Sequence, residues 1–356
     1  MVVEDSAVVR RLLAHIIGRD PRLELVVEAD SAEEALRLLP RLRPDVISMD
    51  IRLPGMDGLE ATRRIMAEQP TPIVVIADGG QDGALALSMH ALRAGALAVV
   101  EKPVGTASGG YEALAERICT QLRIMSEVAV IRRRELGVRA GAAPARADPQ
   151  ERDLALPAPH RPSLVAVAAS TGGPAALSRL LGALPADFPL PVLLVQHMGE
   201  PFMEGFAAWL DGLVPMKVAI AQDGEVPLPG HVHVAPGDRH LLLTPDRRLR
   251  LDAGPPVDGQ RPAATLLFRS VAEAVGAQGL GILLTGMGED GARGLLDLRR
   301  AGGPTITEHE STAVVYGMPA VAVRLGASGL SLPLGLIAPR LLRLADGEGA
   351  AAPAAR

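Results

Sequence analysis

Three residues in the second half of the chain are of the types that a serine hydrolase uses. Ser170 follows the apolar run Leu164 to Ala169 in "VAVAASTGGPAAL", His197 follows "PVLLV" in "LLVQHMGEPF", and Asp290 follows "GLGILL" in "TGMGEDGARG". A serine hydroxyl is a weak nucleophile until a base takes its proton, and the base needs a carboxylate to hold its tautomer. Each of the three stands just past a run of strand length, and the carboxyl ends of parallel strands share one edge of a sheet. A second set lies near the N-terminus. Glu4 and Asp5 close the run in "MVVEDS", Asp50 closes "PDVISMD" and Lys102 follows a further strand in "VVEKP". Carboxylates converging on one sheet edge suit a hard cation such as Mg²⁺, and Lys102 can reach the same edge.

Spacing leaves the roles open. Ser170 sits at a strand-to-helix turn, because Pro174 to Leu181 reads as a helix with proline near its first position. Gly172 and Gly173 leave backbone N–H groups facing whatever approaches, so Ser170 fits a nucleophile, a phosphate ligand or a helix N-cap. A nucleotide site is disfavoured, since neither GxGxxG nor GxxxxGK[ST] occurs here. Asp290 equally suits the N-cap of a helix starting near Ala292. His231, His233, His240 and His309 compete with His197 for the role of base. The order Ser, His, Asp and the sequence "AASTGG" both differ from the α/β-hydrolase pattern with its G-x-S-x-G elbow.

The elements that must position these groups follow from composition. The 356 residues suffice for two domains with separate cores. With 36 Lys and Arg against 41 Asp and Glu, the net charge of −5 excludes a nucleic-acid binder relying on bulk basicity. Cys119 is the single cysteine, so no intramolecular disulfide forms. No apolar stretch reaches spanning length, and Met1 to Arg11 meets charge too early for a signal peptide; a cytoplasmic protein that does not insert in membranes is expected. The abrupt start at the first strand points to a start codon upstream. Aromatic residues make up only 2%, so the cores are built from Ala, Leu, Val and Ile, as suits helices on parallel strands. Strand-like and helical runs alternate over residues 1–122 and again over 163–345. Between them "IRRRELGVRAGAAPARADPQERDLALPAPHRP" breaks the pattern, which predicts a helical extension and flexible linker over 123–162; residues 346–356 read as a disordered tail. The fold class is α/β, with a doubly wound N-terminal domain and a mostly parallel-sheet hydrolase domain after it.

"VVEDS", "DVISMDIRLPGMDGLEATRRI" and "EKP" make the first domain resemble a response-regulator receiver of flavodoxin-like fold. The resemblance implies Asp50 as phospho-acceptor and Lys102 on the phosphoryl oxygens. It also implies Mg²⁺ held by Glu4, Asp5, Asp50 and the Arg52 carbonyl, and a sensor histidine kinase as phosphodonor. Ala77 stands where the pattern has Ser or Thr, and Val99 where it has an aromatic switch residue. "AASTGGPAAL", "VQHMGEPF", "HVHVAPGDRHLLL", "RPAATLLFRSVAE", "ILLTGMGEDGARG" and "VVYGMP" make residues 163–344 similar to the catalytic domain of chemotaxis protein-glutamate methylesterases. That likeness implies Ser170 as nucleophile, His197 as general base and then acid, and Asp290 as the orienting carboxylate. It places Thr171 in the active site and the Met287 N–H near the oxyanion, with no cofactor in this domain. Gly199 departs from it, where proline is usual after the His-Met pair. The implied substrates are glutamate methyl esters, and by extension glutamines, on the cytoplasmic helices of methyl-accepting chemoreceptors. Two other classes compete: a response regulator that acts by binding a partner without catalysis, and a receiver-bearing transcription factor, for which no basic recognition helix follows the linker.

Overall fold

The computed structural model describes residues 1–77, 90–92, 94–103, 111–128 and 161–346. The chain divides into two compact units, Met1–Ala142 and Ala143–Arg356. Most of the stretch expected as a flexible linker, and all but one residue of the expected disordered tail, lie outside the described residues. Among the described residues, no helix is long and apolar enough to cross a membrane.

In the first unit the strands are β1 (Val2–Val3), β2 (Glu28–Ala29), β3 (Ile47–Asp50), β4 (Ile73–Ala77) and β5 (Ala98–Glu101). They form one parallel sheet in the order β2-β1-β3-β4-β5, the flavodoxin-like doubly wound order. All five residues of β4, Ile-Val-Val-Ile-Ala, are buried, as expected for a central strand covered on both faces. The helix Gly58–Glu68 starts where Asp57 Oδ1 accepts the Glu60 N–H at 2.7 Å, a cap worth about 1 kcal/mol. The helix Tyr111–Ser126 runs past Leu122 before the described stretch ends at residue 128.

The second unit contains β6 (Leu164–Ala169), β7 (Val192–Gln196), β8 (Lys217–Ile220), β9 (His231–Val234), β10 (His240–Leu243) and β11 (Leu249–Asp252). It continues with β12 (Gly279–Leu283), β13 (Thr305–Glu308) and β14 (Leu330–Leu332). Seven of these form a parallel sheet in the order β14-β13-β12-β6-β7-β9-β8, while β10 and β11 pair separately as an antiparallel ribbon. The chain enters this sheet at its middle strand, β6. It winds out through β7 to β8 and β9 on one side and later builds β12, β13 and β14 on the other. A strand order that reverses at β6 opens a crevice at the carboxyl end of that strand, where ligands of such sheets bind. The core here gathers Leu267, Phe268 and Val271 of the helix Ala264–Val275, Leu295 and Leu298 of the helix Ala292–Arg300, and Ala166 and Ala168 of β6. Alanines on the central strand leave room for Phe268, whose full burial contributes roughly 2–3 kcal/mol.

Candidate active site and phospho-acceptor cluster

Ser170, His197 and Asp290 follow three strands that lie side by side, β6, β7 and β12. Backbone bonds that extend the ladders tie their chain ends together. The His197 N–H donates to the Ala169 carbonyl at 3.0 Å, and the Ser170 N–H donates to the Thr285 carbonyl at 3.0 Å. Gln196, buried at the end of β7, bridges the two turns: its Nε2 donates to the Ser170 carbonyl at 2.9 Å and to the His197 carbonyl at 3.0 Å.

His197 Nε2 lies 2.8 Å from Asp290 Oδ2. Asp290, only 3% exposed, accepts three backbone N–H groups besides. Ala264 donates to Oδ2 at 2.7 Å, and Thr265 and Gly291 donate to Oδ1 at 2.9 and 2.8 Å. Burial by itself pushes this carboxyl up, but His197 and Thr265 outweigh it and hold the group below its ordinary value. An ionised Asp290 on Nε2 keeps the ring proton there and leaves the Nδ1 lone pair free to act as a base. Nδ1 is buried and has no hydrogen-bond partner among the described residues, the Ser170 hydroxyl included. Catalytic contacts of this kind commonly tighten only when substrate is bound.

Two capping readings are corrected by the structure. The helix Gly173–Gly182 is capped by Gly172, whose φ of +78° suits a residue without a Cβ, and no side chain caps it; Ser170 is thus not the N-cap. The helix Ala292–Arg300 is capped by Gly291, and the Asp290 carboxylate instead meets the first turn of Ala264–Val275. There the exposed N–H groups and the positive end of the helix dipole favour a negative charge.

The rival histidines are engaged elsewhere. His240 Nε2 lies 3.0 Å from the Pro255 carbonyl and its Nδ1 accepts the Ala263 N–H; His309 pairs with Ser311; His231 Nδ1 lies 2.9 Å from the Pro229 carbonyl. His233 faces Glu225 at 3.3 Å and accepts the Leu228 N–H on its other nitrogen, and burial lowers its pKa. Thr171 is buried and its carbonyl accepts the Thr285 hydroxyl at 2.9 Å. Met287, 36% exposed, follows Gly286 in the loop after β12. A Cβ on Gly286 would lie 2.7 Å from Ser170 Cβ, so no side chain fits there beside the serine.

Sequence reasoning missed Gln196, Thr285 and Glu308. Gln196 and Thr285 are polar residues at or just past the end of an apolar strand, the same signal that singled out Asp50, whereas Glu308 ends a strand, Thr-Ile-Thr-Glu, that is itself largely polar. The first two were legible as outliers; the partners of all three were not.

In the first unit, ligand atoms of Glu4, Asp5 and Asp50 lie within 4.8 Å of one another. Lys102 Nζ is 2.8 Å from Asp50 Oδ2 and 3.0 Å from Glu4 Oε2, and the Arg52 N–H donates to Asp50 Oδ1 at 3.3 Å. Burial and the neighbouring charge of Asp50 push the Glu4 carboxyl up to about 7 against the pull of Lys102. Three crowded carboxyl groups, two of them buried, form an oxygen-only donor set that fits a small hard cation. Ala77 is buried at the end of β4, where its carbonyl accepts the Lys102 N–H at 2.9 Å; its side chain brings no donor to the cluster.

Residues 1–109 match the family model "Response regulator receiver domain", and residues 165–341 match "CheB methylesterase". The "Protein-glutamate methylesterase/protein-glutamine glutaminase 2" of Paramagnetospirillum magneticum is 53% identical over 98% of this chain and 97% of its own length. The chain belongs to that family. A Myxococcus xanthus member, number 4 of the same name, is 48% identical over 98% of this chain and 97% of its own. The crystal structure of the Thermotoga maritima CheB methylesterase catalytic domain covers 51% of this chain and 98% of that one, at 35% identity and a TM-score of 0.50. The methylesterase match spans Ser170, His197 and Asp290, and the receiver match spans Glu4 to Lys102.

Proposed function

We propose that Ser170, His197 and Asp290 are the catalytic triad of a protein-glutamate methylesterase that is also a protein-glutamine glutaminase. The observation that carries this is the His197–Asp290 pair. Its carboxylate is fixed by three N–H donors, and the second ring nitrogen is left free at a strand end that abuts the Ser170 turn. Ser170 Oγ attacks the ester carbonyl of a glutamate side chain while its proton passes to His197 Nδ1. The N–H of Met287 and the surroundings of Thr171 stabilise the oxyanion. Collapse expels methanol, which carries off the proton from His197, and leaves an acyl-serine. Water, deprotonated by His197, then cleaves that ester to free glutamate and restore Ser170. A glutamine side chain presents the same acyl carbon and releases ammonia instead.

Residues 1–122 act as receiver and 163–345 as enzyme, joined by 123–162. Asp50 takes a phosphoryl group from a sensor histidine kinase, and the substrates are methylated helices of chemoreceptors in the cytoplasm. Glu4, Asp5, Asp50 and the Arg52 carbonyl would hold Mg²⁺, which supplies positive charge for phosphoryl transfer, while Lys102 contacts the phosphoryl oxygens. The unphosphorylated receiver lowers the competent fraction of the enzyme, so a fragment covering 163–345 demethylates faster than the full chain. Ser170→Ala decides the triad. Methanol release from a methylated receptor should fall by roughly three to six orders of magnitude with the fold intact; substantial turnover by the folded variant overturns the assignment.

A further inference from the structure

We infer that Glu308 is a positioning residue of the esterase, holding the loop after β12 so that Thr285 keeps the Ser170 turn and the Met287 N–H in place. The inference rests on Ser170 being the nucleophile.

Glu308 ends β13 and is fully buried. One carboxyl oxygen, Oε2, accepts the Thr285 N–H at 2.9 Å, and the other makes no hydrogen bond among the described residues. Burial pushes its carboxyl up, with Thr285, Thr312 and Arg179 pulling the other way. A carboxyl buried this way is costly unless its hydrogen bond is needed, so its single backbone partner marks where it acts.

What it holds is the hub of the site. The N–H of Gly281 faces β13 and that of Leu284 faces β6, so strand alternation turns the Thr285 N–H towards β13 again. There it donates to the Glu308 side chain rather than to a backbone carbonyl, so Glu308 takes the place of a ladder rung. The Thr285 carbonyl, however, bonds back to the Ser170 N–H on the β6 side. The chain therefore turns within Thr285, and these two bonds grip the turn from opposite sides. The Thr285 hydroxyl adds a third grip, donating to the Thr171 carbonyl at 2.9 Å and accepting the Val315 N–H at 2.9 Å. Gly286, next in the chain, bonds the Val315 carbonyl at 3.0 Å, and Met287 follows. Removing the Glu308 acceptor frees the start of this segment and lets the Ser170 turn and the Met287 N–H drift together.

The test uses the full chain and two readouts: receptor demethylation, and the rate at which a fluorophosphonate labels Ser170. Glu308→Gln retains an oxygen acceptor of the same reach and should keep both rates within about threefold of the parent. Glu308→Leu removes the acceptor at similar volume. It should lower kcat and the labelling rate together by roughly 10- to 100-fold, the scale set by misplacing a reacting group by about an ångström, with KM within about twofold. If Glu308→Leu fails to fold, Glu308→Asp keeps the carboxyl but retracts it by one methylene, and should slow labelling several-fold. Folded Leu or Asp variants that label at the parent rate overturn the inference, as does a Gln variant as impaired as Leu. Ser170→Ala in the same assays separates the two readings: if it retains turnover the triad is wrong, and if it is dead while Glu308→Leu is normal only the role of Glu308 is wrong.

Discussion

Asp290 and Glu4 both lie at the carboxyl edge of a parallel sheet, both nearly fully buried, and their affinities for a proton move in opposite directions. Asp290 has three backbone donors and a histidine around it, so its charge is satisfied by the fold itself. Glu4 has Asp50 as a neighbour and shares Lys102 with it, so one cation serves two carboxylates. The catalytic carboxylate is built to stay as it is. The receiver cluster is built with negative charge in excess, so that binding a cation or adding a phosphoryl group changes its balance. Asp290 gathers three backbone N–H donors that hold its charge, whereas Glu4 accepts one, from Ser6, and shares Lys102 with Asp50.

The sharpest way to break this contrast is Asp290→Asn. An amide cannot hold the His197 proton on Nε2 as the carboxylate does, so kcat should fall by about 10⁴-fold. It should also cost stability, since Ala264, Thr265 and Gly291 would share one amide oxygen. Methanol release and thermal unfolding check both; a loss of less than tenfold in kcat would mean that Asp290 does not set the tautomer.

Glu4→Gln tests the other side. The folded protein holds a proton on Glu4 more tightly than the unfolded chain does, so this residue's contribution is present below about pH 4.5 and lost as pH rises towards about 7. The variant should therefore stabilise the first unit above pH 7 in metal-free buffer by roughly 1–3 kcal/mol and make no difference near pH 4. Hydrogen exchange of the β1 and β3 amides reads this directly, and equal exchange at pH 8 would refute the crowding.

A smaller effect is expected at Ala77. A hydroxyl there would donate to the phosphoryl group, so the parent should be stimulated only modestly by beryllofluoride with Mg²⁺, and Ala77→Thr should raise the stimulation several-fold. A large activation of the parent, unchanged in the variant, would show that backbone groups and Lys102 suffice. The smallest effect belongs to Gly199→Pro. Gly199 already has φ −59° and ψ 140°, which proline adopts without strain, so the departure from the family pattern leaves the loop beside His197 undistorted. The substitution should leave kcat unchanged and raise stability by about 0.4–1 kcal/mol, measured by urea unfolding.

The strands were the most legible part of the sequence. Leu164–Ala169 reads as a strand because six apolar residues end at a polar one, and the same rule finds the runs before Asp50, His197 and Asp290. Spacing alone did not show which histidine is the base, since five of them share similar local surroundings. Only the partners separate His197, with Asp290, from His233, with Glu225. Asp290 also suited the N-cap of the helix that follows it, a local alternative that fails here because a helix starting 26 residues earlier offers its N-terminus to the same carboxylate. Gln196 and Glu308 escaped for a related reason: the Ser170 carbonyl and the Thr285 N–H that give them their place are backbone groups 26 and 23 residues away, which carry no mark in the residue alphabet.

β6 is the first strand of its sheet to be synthesised, yet it is flanked on both sides only after β7, β8 and β9 are in place. Its two neighbours are β7, which follows it closely, and β12, which arrives more than a hundred residues later. Ser170 and His197 thus leave the ribosome long before the carboxylate that activates them, and before Thr285 can grip the serine turn. A nascent or truncated chain that ends short of β12 carries Ser170 and His197 without Asp290 or Thr285. On the proposed triad, ester hydrolysis waits for a chain long enough to close both sides of its central strand.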